Sequence, residues 1–188
     1  MTAAPASRQP DLRLELETPR LRIRPYRSSD LDDVYEVLRD PAVFWWVSEP
    51  FTRERAAVWL ADEIAFVERD NAGRHAVVLR ETGEVIGGVG LVPRDLQHGR
   101  EIELGYHLRH DLWGNGYATE AGQACVAQAA ASGLNRIIAL IYVDNPRSEA
   151  VARRLGFAPE GRLLWAGLPH RLWARTLAAG LAAGPALG

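Results

Sequence analysis

The chain has a single cysteine, Cys125, in 188 residues. One thiol excludes an intrachain disulfide and suits a reducing compartment. Long apolar runs are missing too. No stretch reaches the roughly 18 apolar residues that a membrane-spanning helix requires. The opening Met1-Thr-Ala-Ala-Pro-Ala-Ser-Arg-Gln-Pro10 lacks the apolar core of a signal peptide. Neither sign of charge is in excess: 22 basic and 24 acidic residues leave a net charge of -2 and a pI near 6.2. That offers nucleic acid no basic surface, and the acidity is too slight to argue for a cationic substrate. His107 and His110 have no third or fourth ligand at metal spacing. The expectation is therefore a cytoplasmic protein with no metal, nucleic-acid or membrane partner. The length suits one domain, and neither an internal repeat nor an interdomain linker divides it. Monomer and homodimer both stay open.

Residues 12–178 read as that domain, between a flexible N-terminus at 1–11 and an Ala/Gly/Leu-rich tail at 179–188. Arg20 to Tyr26 alternates as a strand does. Ser29-Asp30 reads as the cap of a helix running to about Leu38, stopped by Asp40-Pro41. Thr52 caps a second helix to about Arg69, with Ala56, Leu60, Ile64 and Val67 as its apolar stripe. His75–Arg80 and Val85–Val92 predict a hairpin across Glu81–Glu84, and Pro93–Arg100 reads as a polar loop. Further strands are expected at Glu101–Leu108, Ile137–Val143, Phe157–Trp165 and Arg171–Leu177. Helices are expected from Ala118 to about Ser132 and after Asn145. This order predicts an α/β (α+β) fold with a mixed, mostly antiparallel sheet.

The most informative stretch is Trp113-Gly114-Asn115-Gly116-Tyr117-Ala118-Thr119-Glu120, between a strand and a helix. Such a turn places free backbone N–H groups at the positive end of a helix, where an anionic phosphate is favoured. The glycines let the chain turn sharply with no Cβ in the way. A P-loop would need Lys-Ser/Thr after the last glycine, where Tyr117-Ala118 stands. A dinucleotide fingerprint would need a third glycine, and none is present. A second motif follows the apolar strand. Asn145-Pro146 suits a helix cap and first helical position, and Gly156 the residue just past that helix.

Together these motifs make the chain resemble the GCN5-related N-acetyltransferase (GNAT) superfamily, and within it the ribosomal-protein N-terminal acetyltransferases. The carrying residues are Thr18-Pro19-Arg20-Leu21-Arg22-Ile23-Arg24-Pro25, Glu103-Leu104-Gly105-Tyr106 with the run from Trp113 to Glu120, and Asn145-x-x-Ser148-x-x-Val151-x-x-x-Leu155-Gly156-Phe157. The resemblance covers roughly residues 12–178. It implies a single-domain acyl-CoA N-acyltransferase fold and acetyl transfer from acetyl-CoA to a primary amine. That amine could be a protein N-terminus, such as a ribosomal protein's, or belong to a small molecule such as an amino acid, polyamine or aminoglycoside. An acyl-CoA-binding protein without turnover is a further alternative.

The resemblance also assigns roles. Tyr106, His107 and Leu108 would line the pantetheine arm. A backbone N–H near Leu108 would meet the oxyanion. Trp113, Gly114, Asn115, Gly116, Tyr117 and Ala118 would hold the pyrophosphate. Asn145 is either a plain helix cap or also a contact to the arm. Strand parity places Glu101, Glu103, Gly105 and His107 on one face. Glu103 sits about 6–7 Å nearer than Glu101 to the thioester end and falls on the family's catalytic-glutamate position. It is expected as general base acting through a water; its other reading is a solvated or salt-bridged strand glutamate. Ala152 occupies the position where many members carry a tyrosine acid, and Ser148, one turn earlier, is the substitute its branch suggests. Phe44, Trp45 and Trp46 either pack over the sheet or border the acceptor pocket. Asp111 replaces the motif's leading Gln/Arg. Cys125 reads as a small core residue.

Overall fold

The computed structural model describes residues 10–44 and 49–177. The elements run β1 (Leu16–Glu17), β2 (Leu21–Arg24), α1 (Leu31–Leu38), α2 (Arg53–Asp70), β3 (Gly73–Leu79), β4 (Val85–Leu96), β5 (Gly99–Leu108), α3 (Tyr117–Ala131), β6 (Arg136–Tyr142), α4 (Pro146–Arg154), β7 (Ala158–Trp165) and β8 (Leu168–Thr176). The strands form one 8-stranded sheet in the order β1-β2-β3-β4-β5-β6-β8-β7. Every pairing is antiparallel except β5 with β6. That exception follows from connectivity, because the α3 crossover returns the chain in the same direction.

Alternation along the strands divides the apolar residues between two faces. On one, Leu104, Leu108, Ile137, Ala139 and Ile141 pack with Ala121, Cys125 and Ala129 of α3 and Ala152 of α4. Leu12 and Leu14, at the start of the described chain, join this core. They are anchored by Leu12 N–H to the Asn71 carbonyl at 2.7 Å and Leu14 N–H to His75 Nε2 at 3.0 Å. On the other face Tyr26, Val34, Val37, Phe44, Ala56 and Leu60 pack with Ala76, Val78 and Val85.

Two local expectations change. Ser29-Asp30 does not cap α1 through a side chain. A 3-10 turn, Ser28–Asp30, precedes the helix, and the buried Asp30 carboxylate accepts from Arg24 Nη1 at 2.7 Å and Nη2 at 2.8 Å, and from the Arg27 N–H. A buried charge is held by a bidentate guanidinium more strongly than by a lone helix N–H. Residues 93–100 are not a loop. β4 runs to Leu96 and β5 starts at Gly99, with Pro93 paired to Ile102. Pro93 is tolerated because β3 last pairs with β4 at Leu91, which leaves that edge with no N–H to supply. Thr52 does cap α2, accepting from the Arg55 N–H at 3.3 Å.

Candidate active site

β5 and β6 share a single register pair, Glu103 with Ile138, and part beyond it. The Arg109 N–H donates to the Ile86 carbonyl at 2.8 Å. Antiparallel alternation then turns the odd-numbered peptide groups of β5 toward β4, and those of Tyr106 and Leu108 toward the gap. The Leu108 carbonyl accepts from Trp113 Nε1 at 2.8 Å. The N–H and C=O of Tyr106 and the N–H of Leu108 are left as an open edge for an extended amide chain. α3 and α4 begin at the mouth of this gap, at the carboxyl ends of the two parallel strands, where crevices in α/β sheets take ligands.

The start of α3 is built for an anion. Gly114 and Gly116 have φ of 85° and 82°, the left-handed region that resists a side chain. No side chain caps the helix at Gly116. The Glu120 N–H bonds to the Gly116 carbonyl at 3.0 Å, so the N–H groups of Tyr117, Ala118 and Thr119 have no helical acceptor. Glu120, in the first turn, does not fold back onto that end. Instead its carboxylate accepts from Thr18 Oγ1 at 2.6 Å, from the Arg20 N–H at 2.9 Å and from Arg20 Nε at 2.7 Å. Burial raises its pKa, but these hydrogen bonds outweigh burial and hold it below the ordinary range. Arg20 also donates to the Asn115 carbonyl at 2.9 Å and lies 4.5 Å over the Tyr117 ring. Arg20 and Glu120 stood inside quoted motifs without a role. The structure makes them the brace of the glycine turn. Arg147 stacks on Trp113 at 4.9 Å on the other side.

At the start of α4, Asn145 Oδ1 accepts from the Ser148 N–H at 3.0 Å, so the cap is real. Ser148 is half-buried and neighbours the Tyr106 side chain. Arg153 pairs with buried Glu149 and stacks on Trp173.

Glu103 is 8% exposed, and its Oε2 accepts from Arg94 Nε at 2.5 Å. Arg94 in turn stacks over Trp165, at the end of β7, at 5.2 Å. Glu101 belongs to a different group. It lies 3.1 Å from Arg136 and 3.3 Å from His98, and Arg136 also holds Glu160 bidentately.

His107 does not take the place expected for it beside the cofactor arm. Parity turns its peptide groups to β4 and its ring to the second core, 5.3 Å from Phe44 and 5.6 Å from Trp59. Gly88 opposite makes the room, since a Cβ there would lie 2.3 Å from the Tyr26 hydroxyl and 2.8 Å from the His107 ring. Burial depresses the His107 pKa to about 3, so the ring is neutral. Phe44 is 9% exposed and also packs on Phe51 at 5.6 Å; it forms part of this core. Trp45 and Trp46 lie outside the described residues. Beside this core an open groove of about 930 Å³ runs between the end of α1, Phe51 and Arg109–Asp111. Its guanidinium groups are matched with carboxylates, Arg39 with Glu36 and Arg109 with Asp111, and His110 lies 3.7 Å from Asp40. Cys125 is fully buried, and burial pushes its thiol up to about 12, which suits packing and not nucleophilic attack. Among the described residues no group of three or more His, Cys, Asp or Glu could hold a metal ion, and no helix is long and apolar enough to cross a membrane.

An acetyltransferase (GNAT) domain model matches residues 20–158. The chain is 33% identical over 153 residues to the N-acetyltransferase p20 of Bacillus licheniformis, covering 79% of this chain and 84% of that protein. Over 65 residues it is 44% identical to the ribosomal-protein-serine acetyltransferase of Escherichia coli, covering 34% of this chain and 36% of that one. The structure of a GnaT-family acetyltransferase from Bordetella pertussis superposes with a TM-score of 0.72 at 27% identity, over 87% of this chain and 100% of the other. A parted parallel strand pair with an uncapped glycine turn at its mouth, and a family match over most of the length, have one reading: the chain belongs to the GNAT family and is an N-acetyltransferase.

Proposed function

We propose that this enzyme moves the acetyl group of acetyl-CoA to the N-terminal amine of a protein. The parting of β5 from β6 beyond Glu103 and Ile138 carries this reading. It leaves amide-bonding groups at Tyr106 and Leu108 for the pantetheine arm, with the uncapped N-terminus of α3 at the far end for the pyrophosphate. GNAT acetyltransferases use acetyl-CoA, and these groups fit its chemistry.

Glu103 is the general base, taking the proton of the attacking amine directly or through a water. Arg94 occupies one of its oxygens, which leaves the other for the proton. The Leu108 N–H stabilises the charge that develops on the thioester oxygen. Ser148 donates a hydrogen bond to the departing sulfur. A thiol with a pKa near 8.5 leaves readily as the thiolate, so a hydrogen bond suffices there. Asn145 caps α4 with its Oδ1 and has its amide N–H groups free for the arm.

The acceptor assignment is supported by the local match to a ribosomal-protein-serine acetyltransferase. It is also supported by the open groove beside the second core, whose paired charges suit a main chain better than a polycationic small molecule. The test is a panel of peptides with free Ser, Ala or Met first, each beside its N-terminally blocked twin, with spermidine and free amino acids alongside. Released CoA is read with a thiol reagent. The unblocked peptides should release CoA and their twins should not. Turnover confined to spermidine or amino acids would overturn the protein acceptor.

A further inference from the structure

The Tyr106 hydroxyl oxygen is buried and makes no hydrogen bond within ordinary geometry. Burial pushes its pKa up to about 12, against a smaller opposing effect of the neighbouring Ser148 side chain. An unsatisfied buried hydroxyl costs roughly 1–3 kcal/mol. Phenylalanine would fill the same space without that cost. The hydroxyl lies on the same face of β5 as Leu104 and Leu108, where the strand borders the gap with β6. The Ser148 N–H is already held by Asn145, so only its hydroxyl is left to orient. A serine hydroxyl carries one hydrogen and rotates freely unless something engages its oxygen.

We propose that Tyr106 is a positioning residue for Ser148: the hydroxyl, unpartnered in the free protein, donates to Ser148 Oγ once CoA occupies the gap, so that the single Ser148 hydrogen points at the sulfur of CoA. The proposal rests on the acetyltransferase reading and deepens its leaving-group half. In the transfer, the amine nitrogen bonds the thioester carbon and the carbon–sulfur bond breaks. The electron pair leaves on sulfur, and the amine proton goes to Glu103. Both hydroxyls keep their protons and stabilise the thiolate by hydrogen bonding alone.

The test compares CoA with desulfo-CoA, which lacks the sulfur, by titration calorimetry at pH 9. Much of the CoA thiol is then ionised. The wild-type protein should bind CoA about tenfold or more tightly than desulfo-CoA, the scale of one hydrogen bond to a charged group. Tyr106→Phe and Ser148→Ala should each remove most of that preference while leaving desulfo-CoA affinity unchanged, and the double variant should lose no more than either alone. Melting temperatures without ligand should show Tyr106→Phe at least as stable as wild type, because the hydroxyl lost is unpaired in the free protein. Equal binding of the two ligands by wild type, or a preference surviving in Tyr106→Phe, would overturn the proposal. Failure of wild type to bind either ligand would instead overturn the acetyl-CoA reading beneath it.

Discussion

Glu103 and Arg94 meet diagonally across the β4–β5 ladder, carboxylate to guanidinium at 2.5 Å, with the Arg94 side chain 19% exposed and Glu103's 10%. The pair joins the proposed general base to Trp165 on the terminal hairpin, since Arg94 also stacks on that ring. A carboxylate buried in this way needs its partner, and the partner holds its direction.

Glu103→Gln keeps the shape of the side chain and removes its basicity. Turnover should fall roughly 10²–10⁴-fold at neutral pH, with acetyl-CoA affinity nearly unchanged. Steady-state kinetics beside calorimetry would check both halves. Undiminished turnover would move the base to Glu101 or a chain of waters.

Arg94→Ala should act on stability first. Removing one partner of a buried ion pair costs about 3–5 kcal/mol, which for a chain of this length lowers the melting temperature by roughly 6–20 °C. The double variant Arg94→Ala with Glu103→Gln should recover part of that loss, because no buried charge is then left unpaired. A double variant no more stable than Arg94→Ala would show that Arg94 acts through its stacking on Trp165.

The brace between Arg20 and Glu120 should set cofactor affinity. Glu120→Gln weakens the hold on Thr18 and Arg20, and with it the carbonyl of Asn115 inside the glycine turn. Acetyl-CoA should bind several-fold more weakly while kcat at saturation stays near wild type. Gly116→Val should abolish the thermal shift that acetyl-CoA gives the wild type, about 2.7 kcal/mol at a hundredfold excess over Kd. Valine resists a φ of 82°. A normal acetyl-CoA shift in Gly116→Val would remove the turn from the binding site.

His75 makes stability depend on pH. Its Nε2 accepts from the Leu14 N–H, so Nδ1 carries the hydrogen that meets the Gly73 carbonyl at 3.1 Å, and the ring is neutral. Burial depresses its pKa from 6.5 to about 4. Between those values the unfolded chain binds a proton that the folded protein does not. Stability therefore falls as pH drops from 6.5 toward 4. From pH 7 to pH 5 this residue alone accounts for a loss of about 2 kcal/mol, readable by urea unfolding. His107, depressed to about 3, adds a fall of the same sign. His75→Gln should flatten the slope whatever its absolute stability. An unchanged slope would assign the dependence to other groups.

What was legible in the sequence is local. Thr52 before α2, Asn145-Pro146 before α4 and Gly156 after it are caps whose chemistry acts over a few residues, and each is found in place. Gly114 and Gly116 announced a turn, and period-two alternation announced β5 with its two faces. Those signals were enough for the element order from β2 onward, the mixed sheet and the kind of turn an acetyl-CoA site requires, while the two-residue β1 is too short to announce itself. What failed locally did so through competition. Asp30 reads as a cap until Arg24 is brought beside it, and Pro93 reads as a strand breaker until β3 is seen to end before it.

The rest was decided by tertiary structure. No periodicity says that β5 and β6 pair once and part, because that depends on how α3 returns the chain. Arg20 and Glu120 meet across 100 positions, and Arg94 reaches Trp165 from a different pair of strands. The hydroxyl of Tyr106 is unpartnered only because of what surrounds it. Sequence fixes a residue's own backbone preferences and its neighbours within a turn or two. Which distant side chains desolvate it, pair with it or leave it unsatisfied is set when the sheet closes, and those contacts decide which groups of this enzyme are available for chemistry.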